Sequence, residues 1–223
     1  MCDVNCINWG IENIRREEVE NKKICEVGSY NVNGSFRDIV ESFKPFEYIG
    51  IDIEAGPGVD IICSADNLVK KFDEDRFDMV ITTCVFEHIR NWKISISNIK
   101  RVTKPGGIIL FVVPSRWQLH SYPYDFWRYS KDDIKNIFTD CKILKIEERR
   151  TDANHCCVFA KIKKPLEFLR QDLSNYKLFS VIANKRIINF EDKYFKHLNY
   201  KILWLKTKIK GAVYRISRFL LSR

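Results

Sequence analysis

KKICEVGSYNVNGSFRD, residues 22–38, and YIGIDIEAGPGVD, residues 48–60, are the two segments from which the fold can first be inferred. In the first segment an apolar run ends in Glu26, a glycine turn follows, and a helix is predicted to open near Gly34. In the second segment an apolar run ends in Asp52. A strand that leads through a glycine turn into a helix places backbone amides at the carboxyl edge of a sheet. An acidic residue about twenty positions further on can hold the hydroxyls of a ribose. The two segments together predict a site for a nucleoside cofactor.

Helical and strand patterns alternate along the rest of the first 165 residues. Lys104, Pro105 and two glycines end one predicted helix, and the continuous apolar run that follows is typical of a strand covered on both faces. The last two strands are close enough in sequence to form an antiparallel pair. This alternation predicts a doubly wound α/β sheet. The predicted helices are Ile11–Asn21, Gly34–Phe43, Trp92–Thr103 and Lys131–Phe138, and the predicted strands are Ile24–Val27, Glu47–Ile53, Val59–Cys63, Asp78–Thr83, Ile108–Val113, Cys141–Glu147 and His155–Ile162.

The charge of the chain is confined to its end. The 223 residues carry a net charge of +9, and residues 166–223 alone contain 13 lysines and arginines against 4 acidic residues. The preceding residues are therefore neutral overall. A chain of this length can bury one large core with some residues to spare. We expect a catalytic domain over residues 1–164 and a basic amphipathic helical extension over residues 165–223.

Three features of the sequence limit the cellular location of the protein and its use of metals. MCDVNCINWG lacks a basic segment followed by an apolar one, and no apolar run approaches the roughly 20 residues of a spanning helix. The eight cysteines include no CxxC pair, which is typical of reduced thiols. The sequence therefore predicts a cytoplasmic protein. It shows no ligand spacing of a metal site, so activity is expected to persist in a chelator.

Five segments occur in the order and spacing of one known family: EVGSYNVNG, YIGIDI, GPGVDI, FDMVITTCVFEHI and RVTKPGGIILFVVPS. In this order the chain resembles a class I S-adenosylmethionine-dependent methyltransferase, of the small bacterial type associated with glycans. The resemblance covers about residues 21–162. It implies a Rossmann-like seven-stranded sheet with an antiparallel last strand, and S-adenosylmethionine bound across the carboxyl edge of the sheet.

The resemblance also assigns cofactor residues. The first loop and the start of its helix would contact the cofactor, Asp52 with Ile53 would hold the ribose, the next turn would meet the adenine, and the end of the fourth strand would lie near the methionine. Ser64 stands where the family often has an acid and Asp66 follows two residues later, so the partner of the adenine amine is open. The cofactor-binding residues implied are Glu26, Gly28, Ser29, Asn33, Gly34, Asp52, Ile53, Ser64, Ala65, Asp66, Thr83 and Cys84.

A nicotinamide dinucleotide site is the competing interpretation of Glu26, Gly28 and Asp52. Such a site needs a tight GxGxxG turn to bring amides against a pyrophosphate. GSYNVNG, residues 28–34, does not supply that turn. S-adenosylmethionine carries no phosphate, so a looser loop with acidic side chains suits it better.

The loop of residues 114–130, PSRWQLHSYPYDFWRYS, would lie beside the cofactor and combines aromatic rings with charged groups. Rings that cover C–H faces and charges that fix hydroxyls suit a saccharide acceptor. A hydroxyl acceptor must also lose its proton, for which a general base is needed. A lid with Phe126 and Trp127 in the core and an internal Asp125–Arg128 ion pair is equally compatible with the sequence, and His88 can instead fix the helix that follows it. The candidate catalytic residues are His120, Asp125 and His88, and the candidate substrate residues are Arg116, Tyr122, Trp127, Arg128 and Tyr129.

Residues 193–223 contain nine lysines and arginines and no acid, and their apolar residues fall on one stripe of a helix. Such a helix can lie on an anionic membrane surface. Packing on the catalytic domain or on a partner, or binding of nucleic acid, are the alternatives. The sequence favours methyl transfer to a hydroxyl of a saccharide or lipid-linked glycan over RNA modification, because Thr82–Val85 is no base-methylating signature. A non-catalytic adaptor that keeps the fold is the other alternative, and the oligomeric state is not indicated.

Overall fold

The structure is a computed structural model that describes residues 4–32, 34–120, 124–150 and 155–196. The expectations for Asn33, for Tyr122 and for the basic stripe beyond residue 196 lie outside these ranges. The helices are α1 (Val4–Asn13), α2 (Arg37–Ser42), α3 (Leu68–Phe72), α4 (Trp92–Val102) and α5 (Lys131–Ile137). The strands are β1 (Lys23–Val27), β2 (Glu47–Asp52), β3 (Ile61–Ile62), β4 (Phe77–Thr83), β5 (Thr103–Arg116), β6 (Trp127–Arg128), β7 (Lys142–Arg150), β8 (Cys156–Lys163), β9 (Leu178–Ser180) and β10 (Lys185–Ile187).

Seven strands form the main sheet in the order β3-β2-β1-β4-β5-β8-β7. The first five strands of that order run parallel, and β8 pairs antiparallel with both β5 and β7. The predicted doubly wound sheet with an antiparallel last strand is confirmed. Its carboxyl edge gathers the residues that follow β1, β2, β4 and β5, which are the segments that the sequence assigns to ligand binding.

The continuous apolar run in β5 is buried on both faces, as predicted. Alternate residues of β5 enter two different core clusters: Ile109, Phe111 and Val113 pack on one face, and Ile108, Leu110 and Val112 pack on the other. Helices α3, α4 and α5 cover the first face, and α1 with α2 covers the second. A central strand buried in this way has no solvent face, which explains the absence of polar alternation.

Several predicted elements differ in extent, and the largest extension is that of β5, which spans Thr103–Arg116 rather than residues 108–113. The first helix spans Val4–Asn13 rather than Ile11–Asn21, because Cys6 and Trp9 supply its buried face. The helix expected from Gly34 begins at Arg37, and the strand expected over residues 59–63 shortens to Ile61–Ile62. The segment before that strand is a turn, in which the Val59 amide donates to the Gly56 carbonyl over 3.1 Å.

Residues 165–196 pack on the catalytic core instead of forming a separate helix. Strands β6, β9 and β10 make a small antiparallel sheet in the order β10-β9-β6. Leu178, Ile187 and Phe190 are buried in the same cluster as α4 and α5. The helical expectation is therefore wrong over β9 and β10, where Trp127 of β6 pairs with Ser180 and provides a strand edge. In the part of the chain that the structure describes, no helix is long and apolar enough to cross a bilayer.

Candidate functional site

The turn after β1 forms the base of the candidate cofactor site. Gly28 has φ +78°, and a Cβ there would lie 2.6 Å from a Val85 methyl group. The amides of Gly28 and Ser29 donate to the Ile51 carbonyl over 2.9 and 3.0 Å. The turn is thus fixed to β2 and lies against the segment that follows β4, so a side chain at position 28 would push these segments apart.

Glu26 is buried beneath this turn. Its carboxylate accepts a hydrogen bond from the Tyr48 hydroxyl at 2.6 Å and from the Ser35 hydroxyl at 3.0 Å. Burial raises the pKa of Glu26, although these two hydrogen bonds act in the opposite direction. The structure therefore gives Glu26 the role of joining β1, β2 and the approach to α2.

Asp52 ends β2 beside the same turn. One carboxylate oxygen accepts from the Ile53 amide at 2.7 Å and from the Glu54 amide at 3.3 Å, and the other accepts from the Tyr30 amide at 3.3 Å. Since a carboxylate can accept about four hydrogen bonds, Asp52 keeps capacity for a ligand hydroxyl. The Ile53 side chain points into solvent.

The GPG segment of residues 56–58 covers the outer side of the turn, a role that sequence reasoning missed. The Asn31 amide donates to the Pro57 carbonyl over 2.8 Å. Gly58 has φ +84°, and a Cβ there would lie 2.5 Å from the Ser29 carbonyl oxygen. The signal was present in the sequence, because paired glycines around a proline mark a tight approach of two backbones.

The predicted adenine turn is tied to α4. The Asp66 amide donates to the Ser64 hydroxyl at 3.3 Å, and the Asp66 carboxylate accepts from the Ser95 hydroxyl. The Asn98 side-chain amide donates to the carbonyls of Ala65 and Asp66 at 3.0 and 2.7 Å. The Asp66 carboxylate is thus directed toward α4, which leaves backbone groups of the turn for contact with a purine.

The chain turns sharply at the end of β4. Thr83 is buried, and Cys84 has φ +49° while its amide donates to the Val112 carbonyl over 2.8 Å. The left-handed residue directs the following segment, Val85–Ile89, away from β4 and across the carboxyl edge. The seven cysteines in the described ranges are reduced thiols.

A polar cluster, formed by Glu87, His88, His120 and Asp125, lies on the segments that follow β4 and β5 at this edge. The Nε2 atoms of His88 and His120 lie 3.8 and 3.9 Å from Glu87 Oε1. His120 Nδ1 lies 3.1 Å from Asp125 Oδ2. The segments after β4 and β5 contribute two residues each, so the fold brings together groups that are far apart in sequence. The three candidate catalytic residues, His88, His120 and Asp125, belong to this cluster, and Glu87 is the member that sequence reasoning missed.

The pKa values of Asp125 and His120 in this cluster are shifted from their ordinary values. Burial alone would raise the pKa of Asp125, but hydrogen bonds from Arg128 and His120 lower it to about 2. Burial opposes a charge on His120, yet the hydrogen bond to Asp125 raises the His120 pKa. Asp125 is therefore an anion that orients His120 and stabilises its protonated form.

Three of the proposed substrate residues are structural. Trp127 Nε1 donates to the Ile89 carbonyl at 2.9 Å, and the Tyr129 hydroxyl donates to the Phe86 carbonyl at 3.2 Å. Arg128 donates to Asp125 at 2.6 Å and to the Trp117 carbonyl at 3.0 Å. Their assignment to substrate is corrected accordingly: the rings are buried in the core, and Arg128 joins Asp125 to the Trp117 end of the loop.

Arg116 is exposed at the mouth of the site and donates to Cys156 Sγ at 3.1 Å. Trp117 stacks on His155 with ring centroids 4.2 Å apart. Tyr124 is 45% exposed and lies next to the polar cluster, since its carbonyl contacts His88. Arg116 and Tyr124 are thus exposed beside the cluster, whereas Trp127 and Tyr129 are buried.

Comparisons of the chain with known proteins agree with the position of this site. A family model described as methyltransferase domain matches residues 11–161. Malonyl-(acyl-carrier protein) O-methyltransferase 2 of Ilyobacter polytropus is 30% identical over 147 residues, which are 59% of this chain and 55% of that protein. The chain thus spans about half the length of the curated relative that it matches.

Solved structures show the same fold at low identity. The N-methyltransferase NodS of Bradyrhizobium japonicum, in complex with S-adenosylhomocysteine, aligns with a TM-score of 0.56 and 13% identity over 73% of this chain and 89% of that one. The 1,6-didemethyltoxoflavin-N1-methyltransferase of Burkholderia thailandensis, also with S-adenosylhomocysteine, aligns with a TM-score of 0.56 and 10% identity over 71% and 78%. Since the family model extends from α1 into β8 and so takes in the whole carboxyl edge, the chain belongs to the methyltransferase domain family, as a class I member whose cofactor is S-adenosylmethionine.

Proposed function

We propose that this chain transfers a methyl group from S-adenosylmethionine to a hydroxyl oxygen of a small polar acceptor, with a saccharide as the acceptor class. The observation that carries the proposal is the position of the polar cluster. Its segment after β4 is in contact with the first turn, because Val85 packs against Gly28. A reacting oxygen held by His88 and His120 would therefore lie next to the cofactor.

The reaction asks for alignment more than for chemical activation. The sulfonium already makes its methyl group electrophilic, so the protein has to hold the acceptor in line with the carbon–sulfur bond and exclude water. The loop that carries His120, which would serve as a lid, is braced by the Arg128–Asp125 ion pair and joined to the segment after β4 by the Phe126 amide, which donates to the Glu87 carbonyl over 2.7 Å. We infer that this lid supplies the alignment.

A hydroxyl acceptor must lose a proton during the transfer, and His120 is the residue that we propose is required for this step. Its Nδ1 faces Asp125, so Asp125 is a positioning residue and His120 Nε2 is left to face the acceptor side with Glu87. His88 lies across the cluster, with its ring centroid 5.0 Å from that of His120.

Cofactor binding is tested by calorimetry with S-adenosylhomocysteine. We expect binding by the native protein and a loss of about tenfold or more in the Asp52→Ala variant, because charge-assisted hydrogen bonds to the ribose are worth about 1.5–3 kcal/mol. Asp38→Ala, which removes an exposed carboxylate from α2, is the matched control and should leave the affinity unchanged. The absence of binding by the native protein would favour the adaptor interpretation, and unchanged affinity in Asp52→Ala would contradict the role of that carboxylate.

Acceptor specificity is tested with labelled cofactor and a panel of nucleotide sugars, glycolipids, small amines and short RNAs. Label transferred to a sugar oxygen is the expected result, and the His120→Ala variant should transfer far less while still binding S-adenosylhomocysteine. Transfer to an amine or to RNA would replace the acceptor class without affecting the cofactor assignment. Full turnover by His120→Ala with the true acceptor would remove that residue from the mechanism.

A further inference from the structure

The inner part of the polar cluster, Glu87, His88 and His120, is arranged as a set of cation ligands. One ligand atom from each of the three side chains lies within 4.8 Å of the others. Both Nε2 atoms face Glu87 Oε1, at 3.8 and 3.9 Å. Atoms that share one metal ion with bonds of about 2.1 Å are separated by roughly 3–3.5 Å, so a small inward rotation of the side chains would complete the set.

The opposite ring nitrogens are fixed by acceptors. His88 Nδ1 lies 2.6 Å from the Tyr124 carbonyl oxygen. His120 Nδ1 lies 3.1 Å from Asp125 Oδ2 and 3.2 Å from the Gln118 carbonyl oxygen. Carbonyls and carboxylates require an N–H at Nδ1, so Nε2 is the nitrogen that remains for a metal ion. The ion would displace any proton on Nε2, as metal binding to histidine requires. Metal-binding histidines have this arrangement almost without exception.

Glu87 gives an independent indication of a bound cation. Its side chain is 2% exposed, and Oε2 has no hydrogen-bond partner among the residues that the structure describes. An unpaired carboxylate oxygen in the interior is costly unless a positive charge is close to it. Arg128 does not fill this role, because its guanidinium is paired with Asp125.

We propose that Glu87, His88 and His120 bind one divalent transition-metal cation, such as Zn²⁺, Mn²⁺ or Co²⁺, at the acceptor end of the site. Two imidazoles and one carboxylate suit these ions and leave at least one coordination position open. The sequence did not indicate this site, because adjacent Glu87 and His88 lack any recognisable ligand spacing to His120, which comes from the loop after β5.

The use of the cation rests on the proposed function and specifies the part of His120 in it: with the cation bound, His120 acts as a ligand and does not itself take the acceptor proton. An acceptor hydroxyl in the open position loses its proton more readily, since a metal ion lowers the pKa of a bound oxygen. The proton would leave to solvent while the acceptor oxygen forms a bond to the methyl carbon. The carbon–sulfur bond breaks, its electron pair stays on sulfur, and the sulfonium becomes a neutral thioether.

The binding experiment uses tag-free full-length protein that has been dialysed against a chelator and then titrated with Zn²⁺, Mn²⁺ or Co²⁺. We expect one equivalent of cation by calorimetry, and for Co²⁺ a visible absorption band that reports imidazole ligands. Glu87→Gln, His88→Ala and His120→Ala should each weaken binding by tenfold or more. Asp125→Asn should weaken it about 10–100-fold, as loss of an orienting partner does. His155→Ala, which removes an imidazole outside the cluster, is the matched control and should bind as the native protein does.

The possible results distinguish a failure of the cation site from a failure of the proposed methyl transfer. S-adenosylhomocysteine affinity is measured on the same samples, and its retention shows that a variant is folded. Cofactor binding with no uptake of any of the three cations, or uptake that is equal in all the variants, would overturn the cation site and leave the methyltransferase proposal standing. One equivalent of cation without cofactor binding would support the site and overturn the methyl transfer. Methyl transfer that is unchanged by removal of the cation would overturn its role at the acceptor.

Discussion

At the scale of single residues, the site depends on positions where only one side chain suits the backbone. Gly28 combines φ +78° with a space that Val85 fills, whereas Gly106 has φ +77° and only Leu166 nearby, 3.4 Å from a built Cβ. The two glycines share the backbone conformation but differ in free space. They therefore separate backbone strain from steric exclusion.

Gly28→Ala is predicted to lower the free energy of unfolding by about 1–3 kcal/mol and to weaken S-adenosylhomocysteine binding, because the new methyl group would displace Val85 and the turn. Gly106→Ala should cost about 1 kcal/mol, from strain alone, and leave the affinity unchanged. Urea unfolding and calorimetry measure both quantities. An equal loss of stability in the two variants, with affinity retained in both, would contradict the close approach at Gly28.

Some residues of the site could be predicted from the sequence, and others could not. Glu26, Gly28 and Asp52 were recognisable because each follows an apolar strand at a fixed point of the motif. Trp127 and Arg128 were open to two interpretations, since an aromatic ring and a guanidinium serve equally well in a pocket and in a core. Only the contacts to Ile89 and Asp125 decide between them.

At the scale of elements, α5 is joined to the small sheet through Asp133. Ser130 and Asp133 form a capping box at the N-terminus of α5, and Arg186 of β10 pairs with the same carboxylate. The Tyr176 hydroxyl donates to it at 2.8 Å. Burial would raise the pKa of Asp133, but Arg186 and these hydrogen bonds lower it below the ordinary value of 3.8.

The free energy of unfolding should therefore fall in acid through Asp133. With a folded-state pKa below that of the unfolded chain, its contribution is complete above about pH 4 and is lost as the pH falls through the folded-state value. Asp133→Asn is predicted to be less stable than the native protein at pH 7, and the gap should narrow toward pH 3. Urea titrations at both pH values test this, with the exposed neighbour in Asp132→Asn as control. A gap that is the same at both pH values would contradict the prediction.

The large strands were predictable because short apolar runs bounded by turn residues alternate with helical patterns along the chain. Strands β9 and β10 were not, since each has only three residues, and the small sheet forms only when β9 pairs with β6 and β10 pairs with β9. The strand edge of β6, with which β9 pairs, exists only after the loop that follows β5 has folded onto the core. Pairings of this kind depend on tertiary contacts and leave no periodic pattern in the sequence.

At the scale of the whole molecule, the catalytic core includes residues far beyond the predicted boundary at 164. Leu178, Ile187 and Phe190 pack on the sheet, and Trp127 would lose its cover without them. A chain that ends at residue 164 is predicted to unfold at a much lower temperature or to aggregate, whereas a chain that ends at residue 196 keeps every described core contact. Thermal unfolding of the two truncated chains tests this. Equal stability would show that the small sheet adds nothing.

The chain that ends at residue 196 also tests the basic segment beyond it. We expect the full chain to bind vesicles that contain anionic lipid, less strongly at high salt, and the shortened chain to lose this binding. Neutral vesicles are the control. Retention on RNA without retention on vesicles would instead indicate a nucleic-acid partner.

The backbone of Glu87 connects the polar cluster to the small sheet. Its backbone carbonyl accepts hydrogen bonds from the Phe126 amide at 2.7 Å and the Trp127 amide at 3.3 Å, and the Phe126 carbonyl accepts from the Val181 amide at 2.9 Å. A ligand that restrains the Glu87 side chain is expected to restrain this run of backbone hydrogen bonds as well. Amide hydrogen exchange at Phe126 and Val181 should slow when the cluster is occupied, so that a mass spectrometer can register acceptor-site occupancy in a segment that no acceptor touches.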